Sequence, residues 1–186
     1  MKPSIRNLSI VAEVAVVLST AGACASTGEI RDAVKERYRP SGVELERPDH
    51  RGEVTRPGTV LMLRADGVPA NVMRVSKPER PHPKMQTPAR VRHIENYARV
   101  MIGADGTLAG APGELRLVSD TRLVLFDVKV ERDQVRFFTH TAEPVARPDG
   151  GPAAYGCTEF VFTLGSSLSA SEVFGSIDRV LTVQAR

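Results

Sequence analysis

The sequence is poor in aromatic and sulfur-containing side chains. It has no tryptophan and two cysteines, and aromatic residues make up 5% of its 186 residues. Proteins that hold bases or sugars by stacking use exposed aromatic rings, so this composition argues against a stacking platform. The main apolar run, Leu8 to Leu18, is 11 residues long. A membrane-spanning helix needs roughly 20 residues, so this run does not predict a stable anchor by itself.

The N-terminal 25 residues have the order of a secretory signal peptide. Lys2 and Arg6 precede the apolar run, and the small residues of 19–25 follow it. Basic, then apolar, then small is the layout of an export signal, so residues 1–25 are predicted to be removed. An ordinary N-terminal helix is the alternative. We expect an exported protein, either periplasmic or an outer-membrane-anchored lipoprotein.

Two processing routes are open for this signal. Ala23-Cys24-Ala25 fits the small-x-small pattern of ordinary signal peptidase, with cleavage before Ser26. Residues 21–24, Ala-Gly-Ala-Cys, resemble a bacterial lipobox with lipidation at Cys24, although Ala21 stands where leucine is usual. If Cys24 is lipidated or removed, Cys157 is alone and is predicted to be a buried apolar side chain. If Cys24 stays unmodified, a Cys24–Cys157 disulfide is a third alternative.

Residues 26–186 are predicted to form a single globular domain. That size suits one domain with one core, and the 41% hydrophobic and 25% charged residues are ordinary for a globular protein. Without residues 1–25 the net charge falls from +3 to +2. The domain as a whole is therefore nearly neutral.

The charge is concentrated in residues 74–93, which we call the basic segment. It contains one acidic residue, Glu79. Its basic residues are Arg74, Lys77, Arg80, Lys84, Arg90 and Arg92. Four prolines between positions 78 and 88 predict an extended Pro-rich basic loop at about 76–90. Such a segment can meet an unknown envelope component or an anionic surface. A solvated loop is the alternative. Export makes nucleic acid an unexpected partner, and membrane contact is expected only through a lipid anchor.

Capping boxes predict two helices. Ser26 with Glu29 begins a helix over 27–39, and Ser169 with Glu172 begins one over 170–181. The apolar stripe of the second helix is predicted to include Val180 and Leu181. Between the helices the chain is rich in short alternating segments typical of strands.

The clearest strand pattern is a hairpin of 122–131 and 134–141. In its first strand Val124, Phe126, Val128 and Val130 are predicted to share one face. Shorter strands are predicted at 59–64, 68–75, 97–102, 115–118 and, as the last strand, 157–164. The fold class is α+β: a mostly antiparallel sheet or partial barrel of about five to six short strands, with an N-terminal and a C-terminal helix.

These elements together resemble a known group of proteins. A helix that ends in basic and aromatic residues is followed by Pro57-Gly58-Thr59-Val60-Leu61, the hairpin and a short C-terminal helix. In this order the chain is similar to a family of small exported, lipoprotein-like bacterial proteins of uncharacterised function. The resemblance implies no activity and carries over no functional residue.

The candidate chemical groups are few. His93 with Glu95 could ligate a metal, and His140 with Glu143 could form an acid–base pair. His50 and His82 lie in segments flanked by proline that are predicted to be loops, where exposure is expected. A catalytic thiol at Cys157 would need a base, and none is adjacent in sequence. We therefore expect no cofactor and no metal, and a non-enzymatic binding or interaction module. The alternative is a small periplasmic hydrolase with its site near His93 or His140.

Overall fold

The computed structural model describes residues 26–45, 53–76, 93–165 and 169–184, and the fold is α+β. The helices are α1 (Thr27–Arg37) and α2 (Ala170–Asp178). The strands are β1 (Gly42–Glu44), β2 (Glu53–Arg56), β3 (Val60–Leu63), β4 (Val68–Val72), β5 (Ala98–Ile102), β6 (Leu108–Gly110), β7 (Leu115–Leu117), β8 (Arg122–Val130), β9 (Gln134–Thr141), β10 (Gly156–Thr163) and β11 (Leu181–Val183). Residues 1–25, Cys24, His50, His82 and positions 77–92 of the basic segment lie outside the described residues.

The sheet is larger than expected, and it is mixed. Its curled main path runs β11-β3-β8-β9-β10-β4-β7, and β5 and β6 bring the sheet to nine strands among the described residues. The prediction of five to six strands is therefore wrong. The sheet is mixed because β5 pairs with β10 in parallel, whereas the other strand pairs of the sheet are antiparallel. β1 and β2 form a separate two-stranded ribbon.

Strand β10 is not the last strand of the chain, because β11 follows α2, and it lies in the interior of the sheet. One edge pairs with β9 along its whole length, while the other edge is shared by β4 and then β5. Residues 156–162 are all buried. This largely apolar segment is buried and paired on both edges, as expected for an interior strand.

One face of the sheet, which we call the inner face, packs against the two helices. Helix α1 contributes Ile30 and Val34, and α2 contributes Val173 and Ile177. The fully buried side chains of this core include Tyr38, Phe137, Phe160, Phe162, Leu61, Leu63, Ile102, Leu115, Leu117, Leu123 and Leu125. The ring of Tyr38 meets that of Phe137 edge-on at 4.9 Å. Both helices therefore lie over one continuous core.

The predicted face of β8 is correct for only half of the strand. A β-bulge interrupts the pairing with β9 between Leu125 and Asp127. One extra residue there reverses the alternation. As a result Leu123 and Leu125, not Val124 and Phe126, join Val128 and Val130 in the main core. Phe126 packs instead in a second, smaller cluster.

Both capping boxes are present, but both helices are shorter than predicted: α1 ends at Arg37 rather than at residue 39, and α2 ends before residue 181. Ser26 and Ser169 each accept a hydrogen bond from the backbone of the glutamate three residues on. Helix α2 stops at Asp178, and Leu181 begins β11, which pairs with β3. Leu181 therefore contributes to the core from a strand and not from the helix.

The chain leaving α1 passes at very close range to Gly58 and Thr59, the two residues that lead into β3. Thr59 N–H donates to Arg39 O at 2.7 Å, and Gly58 N–H donates to the Ser41 hydroxyl at 3.0 Å. Ser41 N–H in turn donates to Leu125 O at 2.7 Å, beside the bulge. These bonds fix α1 to the middle of the sheet.

Candidate functional site

The opposite face of the sheet, which we call the outer face, carries the exposed polar groups. Strand register places Glu159 between Arg99 of β5 and Phe138 of β9. One row further along, Val161 lies between Met101 and Arg136. Side chains two residues apart on a strand share a face, so these two rows are adjacent.

One end of the outer face is covered by a second apolar cluster. Its buried residues are Leu45, Ile94 and Cys157, and the partly buried residues packed on them are Val43, Met73, Val75, Tyr97 and Phe126. Its residues come from β1 and the residue after it, from both ends of the basic segment and the chain next to them, and from β8 and β10. It leaves the Arg99–Glu159 end of the face open to solvent.

A chain of ion pairs occupies this open end. Arg99 Nε donates to Glu159 Oε2 at 2.9 Å, and Arg136 Nε donates to Glu159 Oε1 at 2.6 Å. Arg136 also donates through Nη1 to Glu131 at 3.0 Å. The Glu159 side chain is only 5% exposed, so both of its oxygens are satisfied in a largely dry environment. This buried carboxylate therefore fixes the orientation of two guanidinium groups.

An open depression of about 160 Å³ lies beside these groups. It is lined by Arg99, Met101, Gln134, Arg136 and Val161. Arg99 is 62% exposed, and its two terminal nitrogens donate no hydrogen bond to the described part of the chain. Met101 is 40% exposed. The depression thus combines an available cationic fork with an apolar wall.

Two basic side chains of the outer face pack against the ring of Phe138. Lys129 Nζ lies 5.0 Å from the centre of the Phe138 ring, and the Arg136 guanidinium lies 5.1 Å from the same ring. Tyr97 meets Phe138 edge-on at 5.2 Å, and burial raises the pKa of the Tyr97 hydroxyl above its usual range. These contacts hold extended basic side chains in defined positions.

The basic segment begins and ends at one point. Val75 and Ile94 form an antiparallel bridge, and Ser76 N–H donates to His93 O at 2.9 Å. The Ser76 hydroxyl accepts from His93 N–H at 3.0 Å and lies 3.1 Å from His93 Nδ1. Since Val75 and Ile94 pack in the second cluster, this closed base lies on the outer-face side. Of the six basic residues named above, the structure describes Arg74, which is ion-paired with Glu114 at 2.5 Å.

The two histidine pairs proposed from sequence are not brought together. His140 is fully buried, and its Nδ1 lies 2.8 Å from Thr141 O. Burial lowers the His140 pKa, so the ring is neutral in the fold. Glu143 instead pairs with Arg122. His93 is held by Ser76, and its neighbour Glu95 is exposed.

Cys157 lies opposite His140 in the β9–β10 register, which adjacency in sequence did not reveal. Burial raises the pKa of the Cys157 thiol to about 12. The thiol is therefore protonated at neutral pH, and His140 Nε2 has no hydrogen-bond partner in the described part of the chain. Proximity in register alone does not give an activated nucleophile.

The described ranges hold neither a metal-binding cluster nor a membrane-spanning helix. No cluster of three or more His, Cys, Asp or Glu side chains there could hold a metal ion. None of the helices among the described residues is long and apolar enough to cross a membrane.

Sequence reasoning missed the outer-face ion pairs. Arg136 comes near Glu159 through the antiparallel pairing of the consecutive strands β9 and β10, whereas Arg99 comes from the distant strand β5 through its parallel pairing with β10. A charged residue inside the otherwise apolar run 156–162 was the available signal.

Comparisons of the chain with protein-family models, with curated proteins and with solved structures found no match.

Proposed function

We propose that this chain is an exported, non-enzymatic binding module of the cell envelope that meets an anionic surface through its basic segment. The observation that carries the proposal is the closed base at Val75–Ile94. It holds both ends of a segment with a local charge of +5 on one side of the sheet. Arg99 and Lys129 are exposed on the same side.

The physical basis is electrostatic. Each Lys or Arg near an anionic membrane surface contributes about 1 kcal/mol, and the attraction falls off within a Debye length. Five basic residues between positions 77 and 92 would together give a strong preference for anionic over neutral surfaces. Because the segment returns to its starting point, the folded domain can stay intact whatever the segment contacts.

The test is sedimentation of the processed protein with phosphatidylglycerol vesicles and with phosphatidylcholine vesicles, across a salt series. The variant replaces Lys77, Arg80, Lys84, Arg90 and Arg92 with glutamine. The matched control replaces five exposed basic residues elsewhere, which are Arg31, Lys35, Arg39, Arg56 and Arg132.

We expect preferential, salt-sensitive binding to the anionic vesicles. Each neutralised residue in the segment should cost about 1 kcal/mol, or about fivefold in affinity, whereas the control should keep most of the binding. Equal loss in both variants would show that net charge alone acts and would refute a role for this segment. Cell fractionation, with the mass of the mature N-terminus, tests export separately. A protein that keeps Met1 in the cytoplasm would refute it.

A further inference from the structure

We propose that the outer-face depression is a binding site for a carboxylate on a short apolar stem. Its cationic element is the exposed fork of Arg99, whose Nε is already held by Glu159 at 2.9 Å. An arginine anchored through Nε presents Nη1 and Nη2 in a plane, which is the geometry for two parallel bonds to a carboxylate. This site is separate from the basic segment and does not depend on export.

The neighbouring charges leave Arg99 as the available cation. Arg136 lies on the other side of Glu159 and is already bonded to both Glu159 and Glu131. The Arg136 side chain is 21% exposed, against 62% for the Arg99 side chain. Gln134 is likewise bonded to Glu131. An incoming anion therefore meets Arg99 as its direct partner, and the rest of the network keeps that partner in place.

The shape of the depression indicates the remainder of the ligand. Met101 and Val161 form an apolar wall beside the fork, and the volume is about 160 Å³. A cavity of about 150 Å³ accommodates a ligand as large as benzene, so a stem of a few carbon atoms fits. Inorganic phosphate would find the cation but would gain nothing from this wall. A short-chain fatty acid and a peptide C-terminus with an apolar side chain share the required chemistry.

The test is a titration of the ¹⁵N-labelled protein with butyrate, followed by amide NMR. Butanol, butylamine and inorganic phosphate are compared with butyrate, and an acetylated dipeptide ending in valine represents the peptide source. Arg99→Met removes the fork and keeps an unbranched stem of similar bulk. Arg132→Met removes an exposed arginine from the β8–β9 turn and is the matched control. Arg99→Lys keeps the charge and removes the fork.

We expect saturable shifts at the amides around Met101 and Val161 with butyrate, and none with butanol or butylamine. Arg99→Met should weaken binding at least about tenfold, Arg99→Lys should be intermediate, and Arg132→Met should bind like the parent. Tighter binding of the dipeptide than of butyrate would identify a peptide C-terminus as the source of the carboxylate. Tighter binding of butyrate would identify a free short-chain acid. Undiminished binding in Arg99→Met, shifts scattered over the surface, or phosphate competing as well as butyrate would each overturn the proposal.

Discussion

Replacing Gly58 with alanine should destabilise the fold strongly. A Cβ at this position would lie 2.4 Å from Arg39 O and 2.6 Å from both Pro40 C and Ser41 N. These are backbone atoms, so no side-chain rotation can relieve the clash. Overpacking costs about 1–3 kcal/mol, and weakening a hydrogen bond at this close approach adds about 1 kcal/mol. We therefore expect Gly58→Ala to lower the free energy of unfolding by about 2–4 kcal/mol.

Gly175 provides a control of opposite sign. It lies within α2, and a Cβ there would meet nothing within 4 Å. In a helix interior alanine is favoured over glycine by about 1 kcal/mol, so Gly175→Ala should stabilise the protein. Urea unfolding followed by circular dichroism measures both changes. An unchanged stability for Gly58→Ala would show that the chain after α1 does not pass Gly58 as closely as described, and the account of how α1 is fixed would fail.

Three further experiments test the buried polar groups. Tyr38→Phe removes a buried hydroxyl that has no hydrogen-bond partner in the described ranges, so urea unfolding should show a gain of about 1 kcal/mol or more; a loss would contradict this. The His140 pKa lies below its usual value of 6.5, so the unfolded chain binds a proton first as the pH falls. Stability should therefore be fully retained above about pH 6.5 and decline below it, and His140→Gln should flatten this decline in pH-dependent urea titrations. Iodoacetamide should label Cys157 only after unfolding, as peptide mass spectrometry can show, because burial raises the thiol pKa to about 12; rapid labelling of the folded protein would refute its burial.

Local patterns predicted the elements better than their connections. Both capping boxes begin helices as expected, because the cap depends on residues three apart in sequence. The β8–β9 hairpin was predicted within one residue, because adjacent alternating segments define it. The bulge at Phe126 was not predicted, because a bulge depends on the partner strand and leaves no mark in the alternation of one strand.

The long-range pairings explain the remaining errors. Leu181 fitted the apolar stripe of α2, yet the exposed edge of β3 makes a short strand more favourable there. The parallel pairing of β5 with β10 joins residues about 60 positions apart, and no local signal encodes it. The candidate site depends on this pairing, since it brings Arg99 beside Glu159. The site was for that reason beyond the reach of sequence patterns, whereas the burial of Cys157 was predicted correctly.

The closed base of the basic segment also bears on how freely this part of the chain can vary. Since Val75 and Ile94 already meet, a longer flexible chain between them would have to be closed at a cost in conformational entropy. That entropy costs about 0.6 kcal/mol for each doubling of length. The domain thus offers a permissive insertion point between Ser76 and His93. Binding sequences could be exchanged there, by natural divergence or by design, between ends that Val75 and Ile94 hold together.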